Sequence, residues 1–353
     1  MRRMAPKSTN TSIRMGELAT ISCPAIAEIV DRLVADATRE IDRDATWSHV
    51  SYAQAYLDPV TMRVRDYRNA KMLPRETQEW LALHALHQMG NTTTEFDQAL
   101  AFALARVVEV GEGCSSEFRA GRPLSGVTLL RATVEHASVL VHLCRKLSAH
   151  LAITKPANSV AYVTKIEEIL AVAVFGTRFN WPQNINSDDL ATLERKEREY
   201  TKDENGLNLR AQVMDAIDSA DAECPGFRAA YEILCEFAHP NIGATWLVND
   251  VPVQHVDSMG IQWIARRLRS QSPDVAVPHA FGAAVRVVDS CLLRFRDWVE
   301  QYRGYRPRVL QAVQFAVRTT GRSALALLNP YDPCPCGSGA KAKFCCRAPK
   351  IEH

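Results

Sequence analysis

SGVTLLRATVEHASVLVHLCRKLSAH, residues 125–150, is the stretch on which the fold turns. Leu129, Leu130, Val134, Val139, Leu140, Val141, Leu143 and Leu147 recur at spacings of three and four and cover a wide arc of a helix. A helix apolar over so much of its circumference needs neighbours on several sides, so it sits centrally among other helices.

The flanking sequence supplies those neighbours. Upstream, residues 24–42 place Ile26, Ile29, Val30, Leu33 and Val34 on one face. Residues 74–90 predict a second helix, with Pro74 in its first turn, Trp80, Leu81, Leu83, Leu86 and Met89 along one side, and Gly90 at its end. Residues 94–111 predict a third, followed by a turn around Gly121, Arg122 and Pro123. Downstream, helical patterns cover 160–175, 209–220, 227–238, 261–269 and 281–302, while 245–253 is the single strand candidate. No period of 20–50 residues repeats, which argues against a solenoid. The fold class is therefore all-α, a multi-helix bundle or array.

Composition sets limits on function. A net charge of +2 over 353 residues gives no chain-wide attraction to nucleic acid or anionic membrane. No apolar run approaches the roughly 18 residues of a spanning helix. Residues 1–22 are polar and basic without the apolar segment of a secretory signal, and are expected to be a disordered lead. The body then covers 23–328, with a possible sub-boundary in the polar stretch 180–208. Six of the ten cysteines are scattered among apolar residues, as small buried hydrophobes would be. These features together place the chain in the cytoplasm.

The other four cysteines are different. Cys334, Cys336, Cys345 and Cys346 lie in DPCPCGSGAKAKFCC, residues 332–346, a C-x-C and a C-C separated by eight residues. A bridge between Cys345 and Cys346 would close a strained small ring, and longer bridges would face cytosolic reductants. A single structural zinc held by four thiolates accounts for the spacing, with Gly337, Ser338 and Gly339 turning the chain back on the metal. Lys341, Lys343, Arg347 and Lys350 are expected to offset the negative charge of the centre. The fold thus ends in a small C-terminal zinc knuckle spanning 329–353.

This segment resembles the SEC-C motif, the zinc-binding element found at the C-terminus of the SecA translocation motor and on many otherwise unrelated bacterial proteins. Asp332, Pro333 and the stretch from Gly337 to Gly339 match as well as the four cysteines. Ala340 and Ala342 depart from the family, standing where a lysine and an aromatic residue are usual. The resemblance implies that the knuckle contacts a protein partner. No phosphate-binding G-x-x-x-x-G-K loop is present, so the chain is not a motor of SecA's kind.

Within the body, Arg131 and Glu135 interrupt the apolar arc of the central helix one turn apart. Farther on, Tyr231, Leu234, His239 and Pro240 mark a helix that stops where proline disfavours helical geometry in the residue before it. These elements resemble a group of uncharacterised helical bacterial proteins, over about residues 122–246, and more distantly the HEPN-like domains, many of which cut RNA. Those ribonucleases place an arginine a few residues before a histidine on one helix, and residues 232–238 contain no arginine. Two readings stand for Arg131, Glu135 and His239. They form a partly buried ion pair beside a capped helix end, or they act on RNA or a nucleotide, with histidine moving a proton and arginine steadying negative charge. Whether the protein is an enzyme stays open between them.

Two weaker patterns complete the sequence. His84 and His87 lie three apart with no cysteine or carboxylate to complete a metal site. Arginines 266, 267, 269, 294, 296, 303, 306 and 308 are interleaved with Trp263, Phe295, Trp298, Tyr302 and Tyr305. That mixture suits stacking on single-stranded nucleic acid, RNA included, and equally a solvated helix face beside a core.

Overall fold

A computed structural model of the chain describes residues 22–41, 75–153, 156–175, 213–239, 244, 253–256, 258–265, 278–320, 325–326 and 328–348. The expected N-terminal lead, the 180–208 stretch and the arginines from 266 to 269 lie outside the described residues. Among the described residues seven α-helices dominate: α1 Cys23–Glu40, α2 Arg75–Arg119, α3 Pro123–Leu151, α4 Ser159–Phe175, α5 Val213–Glu223, α6 Phe227–Ala238 and α7 Pro278–Thr320. The all-α expectation therefore holds. Among the described residues no helix is long and apolar enough to cross a membrane.

Three local expectations are corrected. The helices expected at 74–90 and 94–111 are one, because α2 continues through Gly90 to Arg119. Glycine weakens a helix by about 1 kcal/mol but does not end it. Residues 262–265, expected to be helical, form strand β2 (Gln262–Ala265), which pairs antiparallel with β1 (Val253–Val256), Val256 opposite Gln262. Val253, Val256, Trp263 and Ile264 are strand-favouring types, so local preference for extended backbone outweighed a short helical spacing. Finally, α7 extends past residue 302 to Thr320 with Pro307 inside it. The ring at 307 removes one backbone hydrogen bond, and an apolar face continuing through Val309, Val313, Ala316 and Val317, all buried, carries the helix on.

The chain divides into two compact units. The first takes α1, α2 from Ala105, α3 as far as Ser138, α6, the hairpin and α7 as far as Phe295. Ile26, Val30 and Leu33 of α1, Phe118 of α2, Leu130 and Val134 of α3 and Phe281 of α7 are fully buried, with Phe118 and Phe281 meeting edge to face at 6.1 Å. A polar tie fixes α1: Ser115 Oγ donates to Asp31 Oδ1 at 2.6 Å, and Arg119 pairs with the other carboxylate oxygen.

The second unit takes α2 as far as Leu104, α3 from Val139, α4, α5 as far as Ser219, α7 from Arg296 and the C-terminal knuckle. Phe96 and Tyr302 stack at 4.3 Å, and the Tyr302 hydroxyl donates to the Phe96 carbonyl at 2.8 Å. Arg306 forks onto Asp97 at 2.8 and 2.9 Å. Phe295, Trp298, Tyr302 and Tyr305 are all buried, in whichever unit they fall. Their rings serve the cores and offer no platform for bases, which removes the stacking argument for RNA along α7.

Candidate metal centre and polar cluster

The knuckle is built by tight backbone turns. Gly337 and Gly339 take φ of 73° and 74°, a left-handed conformation that glycine adopts without penalty. Cys334 N–H donates to the Ala340 carbonyl, Ala342 N–H to Asp332 and Lys343 N–H to Pro330, closing the loop between the two cysteine pairs. A single 3-10 turn, Ala342–Phe344, then delivers Cys345 and Cys346. All four cysteines are buried, and their sulfur atoms lie within 4.8 Å of one another.

That donor set fits a metal ion. Thiolates at about 2.3 Å from a tetrahedral ion are separated by edges of about 3.8 Å. Cys336 and Cys345 sulfurs stand 3.4 Å apart, and Cys345 and Cys346 sulfurs 3.9 Å. The thiols also share their protons unequally. Hydrogen bonds from Cys334 and Cys346 pull Cys336 down to about 2, the bond to Cys336 pushes Cys334 up to about 12, and bonds with Cys334 and then Cys336 push Cys346 upward. Binding of a divalent ion by four cysteines requires their thiolate forms and releases the thiol protons.

The knuckle packs against helices of the second unit. All four cysteines belong to one buried cluster with Leu86 and Met89 of α2, Val163 of α4, Val313, Ala316 and Val317 of α7, and Leu325 and Leu328. Thr93 Oγ1 donates to the Cys336 carbonyl at 3.2 Å. Contact is closest at two residues without side chains. A Cβ on Gly90 would stand 1.6 Å from the Pro335 carbonyl oxygen, and one on Gly337 would stand 2.8 Å from the Gly90 carbonyl oxygen. Gly90 is thus where α2 receives the knuckle.

Three of the four charges expected to offset the centre are engaged with other groups. Lys343 Nζ lies 3.8 Å from the Tyr331 ring centroid and 4.5 Å from that of Phe344, Lys341 Nζ is 5.6 Å from Tyr331, and Arg347 donates to the Leu328 carbonyl at 2.6 Å. Lys350 lies outside the described residues. Two polar groups that reach Cys345 come from α7. Gln314 Nε2 donates to its sulfur at 3.5 Å and Arg318 to its carbonyl at 3.2 Å. Ser338 Oγ also lies 3.3 Å from that sulfur. Sequence reading missed Gln314 and Arg318; their four-residue spacing, beside Val313 and Val317, is the one available signal.

In the first unit, Arg131, Glu135 and His239 converge, with Tyr231 between them. Arg131 Nε donates to Glu135 Oε1 at 2.9 Å and to the Tyr231 hydroxyl at 3.2 Å, and Arg131 NH1 lies 3.2 Å from His239 Nε2. The Tyr231 hydroxyl donates to Glu135 Oε1 at 2.5 Å. An arginine has donors only, so its contact with His239 requires a lone pair on Nε2. Burial opposes the charge on Arg131, but the Tyr231 hydrogen bond and the Glu135 carboxylate outweigh it and raise its pKa. Burial, then the bond to Glu135, pushes the Tyr231 phenol up. The Arg131 and Glu135 side chains keep 28% and 21% of their exposure, so the cluster is reachable from solvent. His239 sits where expected, immediately after α6 in extended backbone with ψ of 157°.

The His84 side chain lies outside the described residues, and the four cysteines are the only metal-ready group among those described. Cys23, Cys114, Cys144 and Cys291 are fully buried, as small hydrophobes. Compared with known proteins, the chain matches no family model, no curated protein and no solved structure.

Proposed function

We propose that this chain is a zinc-binding helical protein whose C-terminal knuckle, of the SEC-C kind, carries one structural zinc and docks a protein partner. The convergence of four buried thiols within 4.8 Å carries this reading. Zinc suits a closed tetrahedral thiolate set, and with four protein ligands no coordination position remains for a catalytic water. The docking role draws support from the knuckle's outer face, where Tyr331 and Phe344 are 59% and 71% exposed with Lys343 over both rings. A basic, aromatic face of this sort suits a partner surface rich in carboxylates. Elemental analysis of protein prepared without chelators should find one zinc per chain, lost in Cys345→Ser/Cys346→Ser. A fluorescein-labelled Asp/Glu-rich peptide should bind the wild type and not Lys341→Glu/Lys343→Glu. Protein free of zinc, or preference for a labelled RNA oligonucleotide over the peptide, would refute the respective half.

A second reading, a HEPN-like enzyme acting on RNA or a nucleotide, draws on the meeting of Arg131 and His239. The arginine missing from residues 232–238 has a counterpart in Arg131, which reaches the imidazole from α3. A histidine able to move a proton beside a guanidinium able to steady a phosphoryl oxygen is a workable pair for attack of a ribose hydroxyl on phosphorus. Incubation with a pool of RNAs tests it. Cleavage by the wild type that His239→Ala and Arg131→Ala both abolish, with folds intact, supports catalysis; no cleavage leaves the ion pair a structural one.

A further inference from the structure

We infer that Gln314 and Arg318, on α7 and outside the cysteine motif, are positioning residues of the metal centre. Gln314 fixes Cys345 through its sulfur, and Arg318 is the half-buried counter-charge. The inference rests on the reading that the four cysteines hold a metal.

The chemistry of the donor set demands such groups. Four thiolates around a divalent ion carry a net charge of about −2, and a charge buried among apolar residues needs a compensating partner. Here the surroundings are apolar: Leu86, Met89, Val163, Val313 and Val317 share the buried cluster with the cysteines. Lys341 and Lys343 of the knuckle lie against Tyr331, and Lys343 against Phe344 as well. Arg318 comes from the body and holds the Cys345 backbone by its NH2 group at 3.2 Å. Its Nε is also buried without a hydrogen-bond partner among the described residues. An unpaired buried N–H is costly in a neutral setting. Beside an anionic centre the guanidinium's charge offsets that cost through space.

Gln314 has a separate role. Its amide nitrogen donates to the Cys345 sulfur at 3.5 Å, and a donor aimed at a ligand sulfur fixes its orientation and draws off its negative charge. Gln314 and Arg318 lie four residues apart, so one face of α7 presents both to the same cysteine. The metal centre is therefore completed by a helix of the body.

The test uses the full-length protein loaded with Co2+ as a spectroscopic probe and with Zn2+ in competition against a chromophoric chelator. Partners of this kind change metal affinity by about 10- to 100-fold. Arg318→Met should weaken zinc binding within that range, and Arg318→Lys, which keeps a cation, should recover most of it. Gln314→Leu should shift the thiolate-to-cobalt charge-transfer band while Arg318→Met leaves the band in place. The melting temperature of metal-free protein separates a packing role from this one. If Arg318→Met lowers metal-free and zinc-loaded melting equally with unchanged zinc affinity, or if Arg318→Lys recovers nothing, the counter-charge is overturned. An unmoved band in Gln314→Leu overturns the role of Gln314. A wild type that binds neither ion fails at the earlier step, the metal reading itself.

Discussion

Replacing Gly90 with alanine tests whether the knuckle is part of the body. On helix propensity alone the change should stabilise α2 by about 1 kcal/mol. The added Cβ would instead stand 1.6 Å from the Pro335 carbonyl oxygen, and real Cβ contacts essentially never fall below 3.0 Å. The obstacle is backbone, so no side-chain rotation relieves it, and the knuckle must withdraw from α2. Overpacking of this kind costs about 1–3 kcal/mol. Withdrawal also breaks the bond from Thr93 to the Cys336 carbonyl, a further loss of about 1 kcal/mol. Set against the helical gain, the expected net destabilisation is about 1–3 kcal/mol. Gly304, inside α7, is the matched control. A Cβ there meets nothing within 4 Å, so Gly304→Ala should stabilise by about 0.5–1 kcal/mol. Urea titrations followed by far-ultraviolet circular dichroism give both values, and chelator-driven metal release reports the knuckle directly. If Gly90→Ala raises stability as Gly304→Ala does and metal release is unchanged, the docking described here is wrong.

Other outcomes follow from the same contacts. Removing the metal, or deleting the chain from residue 329, should lower the melting temperature of the body by several degrees, because the cysteines share a core with Leu86, Val163 and Val313; an unchanged melt would mark a free appendage. Burial pushes Glu167 up to about 7, above its ordinary value of 4.5, so its contribution to stability is present at acid pH and lost as pH rises toward 7. Glu167→Gln should therefore stabilise the protein at pH 8 by an amount on the order of 2 kcal/mol and do little at pH 4.5, read from urea midpoints at the two pH values. Burial lowers the pKa of His136 and His142, which works in the other direction: the unfolded chain takes up protons first as pH falls below about 6.5, and stability declines there. His142→Gln should flatten that decline in a series of melts. A double-mutant cycle of Arg131→Met with Tyr231→Phe should give a coupling of about 0.5–2 kcal/mol, since both bind Glu135; additivity would show that the network does not act as a unit.

Much of this was legible in the amino-acid order because helices advertise themselves locally. The apolar spacing of residues 125–150 located α3, and Pro240 located the end of α6 at Ala238. The four cysteines were legible because metal ligation imposes spacing within a short segment. What a periodic face does not encode is what lies against it. Gly90 read as a stop signal because its reason, the arrival of Pro335, is hundreds of residues away. The aromatic and arginine residues of α7 read as a surface because burial of Tyr302 depends on Phe96, 206 positions away. Arg131 and His239 were named as a pair, yet the hydroxyl of Tyr231 that binds both Arg131 and Glu135 emerges only when α3 and α6 are side by side.

The hydrogen bond from Thr93 to Cys336 joins residues 243 positions apart. At synthesis rates of about 5–20 residues per second, α2 emerges roughly 10–50 seconds before the segment that covers it. For that interval Leu86 and Met89 lack their final cover, and the nascent chain carries an apolar face that invites chaperones or wrong partners. Completion of this core awaits both the late arrival of the cysteines and an ion to gather them. Starving cells of metal should thus act on the maturation of newly made molecules more strongly than on those already assembled.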